Sequence, residues 1–212
     1  REGRSVGRED LDVGPAQVLV DFPLDFDFLQ VFAAGDDVVA AEEDRTEADF
    51  VALLGIETVD EQGRPMAVTY WRAEGEEVPQ FRLVWRDAGG WRMSQIGERT
   101  IPFRLSGGGT KRIPISRPQV VAGRDGAVHV IFRDEERGGG ITIATSRSPE
   151  RDDWVLQDVW TEPMGLWEPS YDPVLWRRDG VLHLFHQFVG QGDGETLEAV
   201  EPQVVGVLEV EL

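Results

Sequence analysis

Apolar runs of strand length, separated by clusters of Gly, Asp, Arg and Pro, occupy most of the chain, and three of them align without gaps. They are Gly63-Arg-Pro-Met-Ala-Val-Thr-Tyr70, Gly126-Ala-Val-His-Val-Ile-Phe-Arg133 and Gly180-Val-Leu-His-Leu-Phe-His-Gln187. Each opens on a glycine that follows a polar turn: Asp60-Glu61-Gln62, Arg124-Asp125 and Arg178-Asp179. An apolar segment also precedes each turn, namely Phe50–Ile56, Gln119–Ala122 and Pro173–Trp176. Short apolar strands joined by Asp-Gly or Gln-Gly turns predict β-hairpins.

A second landmark keeps the same register. Trp91 follows Gly63 by 28 residues, and Trp154 follows Gly126 by 28. The glycines themselves are 63 and then 54 residues apart, near the repeat of roughly 40–50 residues expected of a four-stranded propeller blade. One blade then reads as strand A at Pro118–Ala122, B at Ala127–Arg133, C at Ile141–Ser146 and D at Trp154–Trp160. The third copy ends with a strand at Val204–Val210. No stretch sustains a helical apolar period, although residues 36–49 suit either a short helix or a strand. The predicted fold is all-β, a β-propeller with about three to four blades in this chain. Residues 1–49 form an irregular N-terminal segment or partial blade, and residues 50–212 carry the blades. Closed propellers hold about four to eight blades, and an open ring leaves a sticky edge. The expectation is that a missing N-terminal half or a second chain completes the ring.

Composition narrows the partners. Seven Trp and ten Phe supply a large aromatic core, and the absence of Cys removes disulfides, thiolate zinc sites and Cys nucleophiles. Three scattered His (His129, His183, His186) do not make a metal site, so none is predicted, and the cofactor is unknown. A net charge of −19 argues against nucleic acid and against an anionic membrane as partners, and no apolar run is long enough for a spanning helix. Twenty of the 21 basic residues are Arg, so local positive sites are planar guanidinium forks suited to carboxylates.

The alignment places Tyr70, Arg133 and Gln187 at the same point, the end of strand B, and so at one rim. The loops that return there add Arg82, Arg99, Arg117, Glu168, Tyr171 and Asp172. Four Arg on one rim of an acidic chain reverse the local sign and point to an anion site. Pairing of Arg117 and Arg133 with Asp134, Glu135 or Asp172 is the simpler structural alternative. His129 and His183 align in mid-strand as core residues, whereas His186, one residue before the rim, is a weaker catalytic candidate. Ser106-Gly-Gly-Gly-Thr-Lys111 has phosphate-loop residue types in the wrong order and reads as a loop.

Several of these segments resemble the BNR-4 repeat family, which includes propeller ulvan lyases and related polysaccharide lyases. The likeness lies in Ser116-Arg-Pro118, Ile131-Phe-Arg-Asp134, Trp167-Glu-Pro-Ser-Tyr-Asp172 and Asp179-Gly-Val-Leu-His-Leu184. Pro79-Gln-Phe-Arg82 and the run from Arg99 to Thr110 add to it. It covers roughly residues 50–212 and corresponds to the C-terminal half of a propeller of about seven blades. The resemblance implies a secreted or periplasmic enzyme that cleaves an anionic, uronate-containing polysaccharide by β-elimination. Tyr70 matches the Tyr that serves as general base or acid. Arg82 is the expected neutraliser of the uronate carboxylate, with Arg86 as its rival. Arg99, Arg117, Arg133, Glu168, Tyr171, Asp172 and Gln187 would line the substrate site. The family's catalytic His belongs to earlier blades that this chain lacks. Two alternatives stand beside it: a non-catalytic carbohydrate-binding or assembly module, and a sialidase-like glycosidase using Glu168 and Asp172 as its carboxylate pair.

Overall fold

The computed structural model describes residues 58–73, 75–104, 112–196 and 198–212. Within them the chain is mostly β, folded into three antiparallel sheets. Sheet 1 is a meander of β1 (Thr58–Val59), β2 (Pro65–Trp71), β3 (Gln80–Asp87) and β4 (Gly90–Ile96). Sheet 2 repeats that order with β5 (Gln119–Ala122), β6 (Val128–Phe132), β7 (Ile141–Ser146) and β8 (Val155–Trp160). Sheet 3 holds β9 (Ser170–Tyr171), β10 (Leu182–His186) and β11 (Gly206–Val210), with β10 in the centre. The four strands expected of the second copy all form, trimmed by one residue at four of their eight ends. The expected irregular segment or partial blade at 1–49, with its helix-or-strand stretch at 36–49, the apolar segment Phe50–Ile56 before the first turn and the Ser106–Lys111 loop lie outside the described residues.

Side-chain alternation explains how the sheets stack. On β6, Val128, Val130 and Phe132 point into one core with Met66, Val68, Phe81 and Leu83 of sheet 1. The intervening Ile131 joins Ile141, Ile143, Leu182 and Leu184 in a second core against sheet 3. Sheet 2 is therefore covered on both faces, which is why its central strand is an unbroken apolar run apart from His129. Cross-sheet hydrogen bonds reinforce the packing: Trp154 Nε1 donates to Ser94 Oγ at 3.1 Å. The Trp160 ring lies over His186 of sheet 3, with centroids 3.9 Å apart. Strand β5 also runs beside β1 and β2, so the first strands of sheets 1 and 2 approach each other.

The three aligned glycines share one backbone conformation, with φ of 73° at Gly63, 82° at Gly126 and 71° at Gly180. Left-handed geometry of this kind favours Gly because it has no Cβ. Their surroundings differ. Gly63 and Gly126 close hairpin turns, their N–H groups donating to Asp60 O and Gly123 O. Gly180 instead ends a helix, α1 (Pro173–Asp179), with its N–H on Trp176 O. The strand expected at Pro173–Trp176 is thus a helix. Asp172 caps its N-terminus by accepting from Val174 N and Leu175 N, Pro173 occupies the first turn, and Gly180 terminates it. Strand β9 takes the place of strand A, and Trp176 Nε1 ties the helix to Ala122 O at 3.1 Å.

His129 is a core residue, as expected from its position in mid-strand. Its Nδ1 is 2.9 Å from Thr145 Oγ1 on the neighbouring strand, and Trp176 meets it edge-on. Burial lowers its pKa from 6.5 to about 4, with a smaller opposing pull from Asp125. The neutral ring thus contributes stability that is fully present above pH 6.5. That stability is lost as the pH falls towards 4, because the unfolded chain takes up the proton first. The loss amounts to about 3 kcal/mol at most. Denaturant melts of wild type and His129→Gln between pH 7 and 4 check this: the variant should show a shallower decline, and parallel curves would refute it.

Candidate functional site

The register of sheet 1 puts Tyr70 opposite Phe81 and Thr69 opposite Arg82 at the end of β2. Arg133 directly follows β6 and Gln187 directly follows β10, whereas Tyr70 is the penultimate residue of β2, so the aligned positions fall at or next to the strand ends. The loops around Arg117 and Glu168 meet beside Arg133.

Arg133 is buried to 1% exposure, and its guanidinium is surrounded by backbone carbonyls rather than by a ligand space. Nε donates to Trp167 O at 3.2 Å and Nη2 to Ile115 O at 2.9 Å, with longer bonds to Ile113 O and Pro114 O. Its nearest carboxylate oxygen, on Glu135, is 3.9 Å away. Its own N–H donates to Ser116 Oγ, while Ser116 N–H returns a bond to Arg133 O. The side chain thus clasps residues 113–116 to residue 167 and fixes both neighbours of the clasp, Arg117 and Glu168.

Glu168 accepts the Arg117 backbone N–H at 2.8 Å, and the Arg117 Nε lies 3.8 Å from the same oxygen. Burial raises the Glu168 pKa above the ordinary carboxylate value, against the pull of the Arg117 N–H and of the Arg117 and Arg133 charges. The Arg117 side chain is 75% exposed, an accessible guanidinium beside a half-buried carboxyl. Tyr70 is near enough for both charges to act on it. Its phenol, packed against Phe81 and Phe103, has its pKa raised first by burial and then by Glu168. Arg117 and Glu168 thus meet beside the Arg133 clasp, and Tyr70 lies within electrostatic range of the pair.

The other expected site residues have different surroundings. Arg82 is buried, pairs with Glu76 through Nη2 and lies over the Trp71 ring at 5.1 Å. Arg99 is also buried. It bonds Asp134 Oδ2 at 2.7 Å and approaches Glu136 Oε1 at 2.8 Å, linking sheet 1 to the loop after β6. Asp134, despite that partner, has its pKa raised by burial. Tyr171 sits in β9 against the second core, and Asp172 spends one carboxylate oxygen on two N–H bonds of the α1 cap. Gln187 is half-buried, with no hydrogen bond to the cluster among the described residues. Arg86 lies inside β3, over Trp91 at the far end of sheet 1. His186 is stacked on Trp160, and His183 pairs with Glu209 at 2.8 Å.

Glu76 was not singled out from the sequence. The signal for it was the acidic pair Glu76-Glu77 lying a short step before Arg82 in the eight-residue β2–β3 connection. Among the described residues no three His, Asp or Glu side chains converge as metal ligands. No protein-family model matches the chain, and no curated protein is similar to it.

The clasp predicts a stability effect. Arg133→Lys keeps the charge but cannot reach carbonyls on both loops, so it should cost about 2 kcal/mol or more. Chemical denaturation of wild type and variant checks this, and a loss within error of zero would contradict the structural role.

Proposed function

We propose that this chain supplies three blades of a β-propeller that degrades uronate-containing polysaccharides by β-elimination, with Tyr70, Glu168 and Arg117 as the reacting rim. Earlier blades, from a longer chain or a partner chain, complete the ring in this reading. The observation that carries it is the accessible Arg117 guanidinium beside Glu168, a carboxyl of raised pKa, with the protonated Tyr70 phenol within electrostatic range of both. A polymer substrate of this kind is met outside the cytoplasm, which favours a secreted or periplasmic protein.

The C5 proton of a uronate becomes removable once its carboxylate charge is neutralised. Arg117 is the group suited to that task, because the Arg82 guanidinium is already held by Glu76. Glu168, with its raised pKa, takes the C5 proton as general base. The freed electron pair forms the C4–C5 double bond as the C4–O bond breaks. Tyr70, kept protonated by burial, donates its phenolic proton to the departing oxygen. Substrate protons and electrons balance, and solvent restores both side chains. Glycosidase chemistry has weaker support, since Asp172 is engaged in the α1 cap. Sequestration of Arg82, Arg99 and Arg133 within the fold favours a binding-only role as the second reading.

Tyr70→Phe in the complete propeller should lower formation of the ultraviolet-absorbing unsaturated product by about a hundredfold or more, with binding of uronate oligosaccharides retained. The wild-type rate should rise with pH through an apparent pKa above that of an ordinary Glu, and Glu168→Gln should lose that limb. Full activity in Tyr70→Phe would sink the assignment. Saturated products would indicate hydrolysis, and binding without turnover in the wild type would indicate a carbohydrate-binding module.

A further inference from the structure

Sheets 1 and 2 each hold four strands, and the fourth, β4 or β8, lies antiparallel beside the third, β3 or β7. Sheet 3 has three, with β9 in the place of the first strand and β11 in that of the third. Among the described residues no strand is paired to the outer side of β11. The strands that close sheets 1 and 2 are polar at most of their exposed positions: Arg92 and Gln95 on β4, Gln157 and Asp158 on β8. Edges that stay open are commonly blunted in this way. The run Val204-Val-Gly-Val-Leu208 is not, for Val204 is 87%, Val205 50% and Val207 55% exposed. In composition β11 is an inner strand left at an edge.

Its paired side is firmly held. Gly206 lies opposite His186, and a Cβ at Gly206 would collide with the His186 ring, which stacks on Trp160. Leu208 and Val210 turn inward to the second core, and Glu209 meets His183 at 2.8 Å. The alternate residues Val205, Val207 and Glu209 therefore project from the other face. An edge ordered beforehand takes up a strand without the cost of ordering itself.

We propose that β11 accepts a fourth, antiparallel strand from a partner chain, an extended segment with apolar residues opposite Val205 and Val207 and Arg or Lys opposite Glu209 and Glu211. The form of the occupant follows from the sister sheets, both of which have an antiparallel strand at this position. Its charge follows from the sequence. Residues 188–212 contain six Asp or Glu and no Arg or Lys, so a second copy of the segment is repelled and a basic one attracted. Backbone N–H and C=O groups on the outer side of β11 supply affinity, and the alternate side chains fix the register. The surface uses none of the residues assigned to the Tyr70 rim and stands whether or not that rim is catalytic.

Titration of the whole chain into the dye-labelled, end-blocked peptide Arg-Val-Arg-Thr-Val-Thr-Val, read by fluorescence anisotropy, tests this. The peptide should bind. Its counterpart N-methylated at every backbone amide, equal in charge but unable to pair as a strand, should not. Val207→Lys blunts the edge at a side chain that is already exposed. It should keep the wild-type melting temperature yet weaken binding at least about tenfold. Val155→Lys makes the same charge change on β8 and should bind as the wild type does. Equal binding of the N-methylated peptide, undiminished binding in Val207→Lys, an equal loss in Val155→Lys or no binding at all would overturn the proposal. So would a dimer of the chain alone, seen by sedimentation, that Val207→Lys dissociates, because the edge would then belong to a second copy.

Discussion

The guanidinium of Arg133 is the constraint on which the described rim depends. A buried cation is tolerable only when its donors are satisfied, and here backbone carbonyls from two separate loops satisfy it. Those carbonyls belong to segments that have no strand pairing to each other, so the planar fork supplies the order that a sheet would otherwise give. Residues 113–116 and Trp167 cannot drift apart without leaving a buried charge unpaired. Because Arg117 and Glu168 are the next residues along each loop, their meeting at 2.8 Å is a consequence of the clasp.

A second buried cation performs the same task between sheets 1 and 2. Arg99 leaves the end of β4 and reaches Asp134, while Glu136 accepts from Thr100 and Ile101. The apolar core between these sheets sets their spacing, but dispersion and burial are non-directional and permit sliding. Charged hydrogen bonds with fixed geometry resist it. Sheet 2 is consequently held at one edge by Arg99 and at the loops towards sheet 3 by Arg133.

Much of this fold was legible because its strands obey a period of two and its turns use glycine where φ must be positive. The second copy is the clearest case: both faces of β6 are buried, and its unbroken apolar run has no helical reading of the right length. The third copy misled for a physical reason. Gly180 carries the same left-handed signature as Gly126, and that signature serves a hairpin turn and a helix end equally well. The Asp-Pro pair at 172–173 distinguishes the two, since it caps a helix and suits its first turn. For the site, strand-end alignment brought Tyr70 and Arg133 to corresponding positions, but alignment cannot tell an Arg that faces solvent from one that faces carbonyls. Arg82 and Arg99 are cations by sequence and neutralised pairs in space. That difference depends on Glu76 and Asp134, whose proximity only folding creates.

The chemical contrast among the Arg residues carries further than their number. Among the described residues most are matched to a carboxylate or to carbonyls, as a chain of net charge −19 readily allows. Against that background, an accessible Arg such as Arg117 and an under-compensated one such as Arg151 stand out for opposite reasons. The first keeps its charge by exposure, where water screens it and an incoming carboxylate can displace that water. The second keeps its charge while buried, at a backbone position of positive φ, with Nη1 on Gly126 O and a buried Nε that has no partner. Exposure therefore leaves the first open to groups from solution, whereas burial ties the second to the turn whose carbonyl it holds.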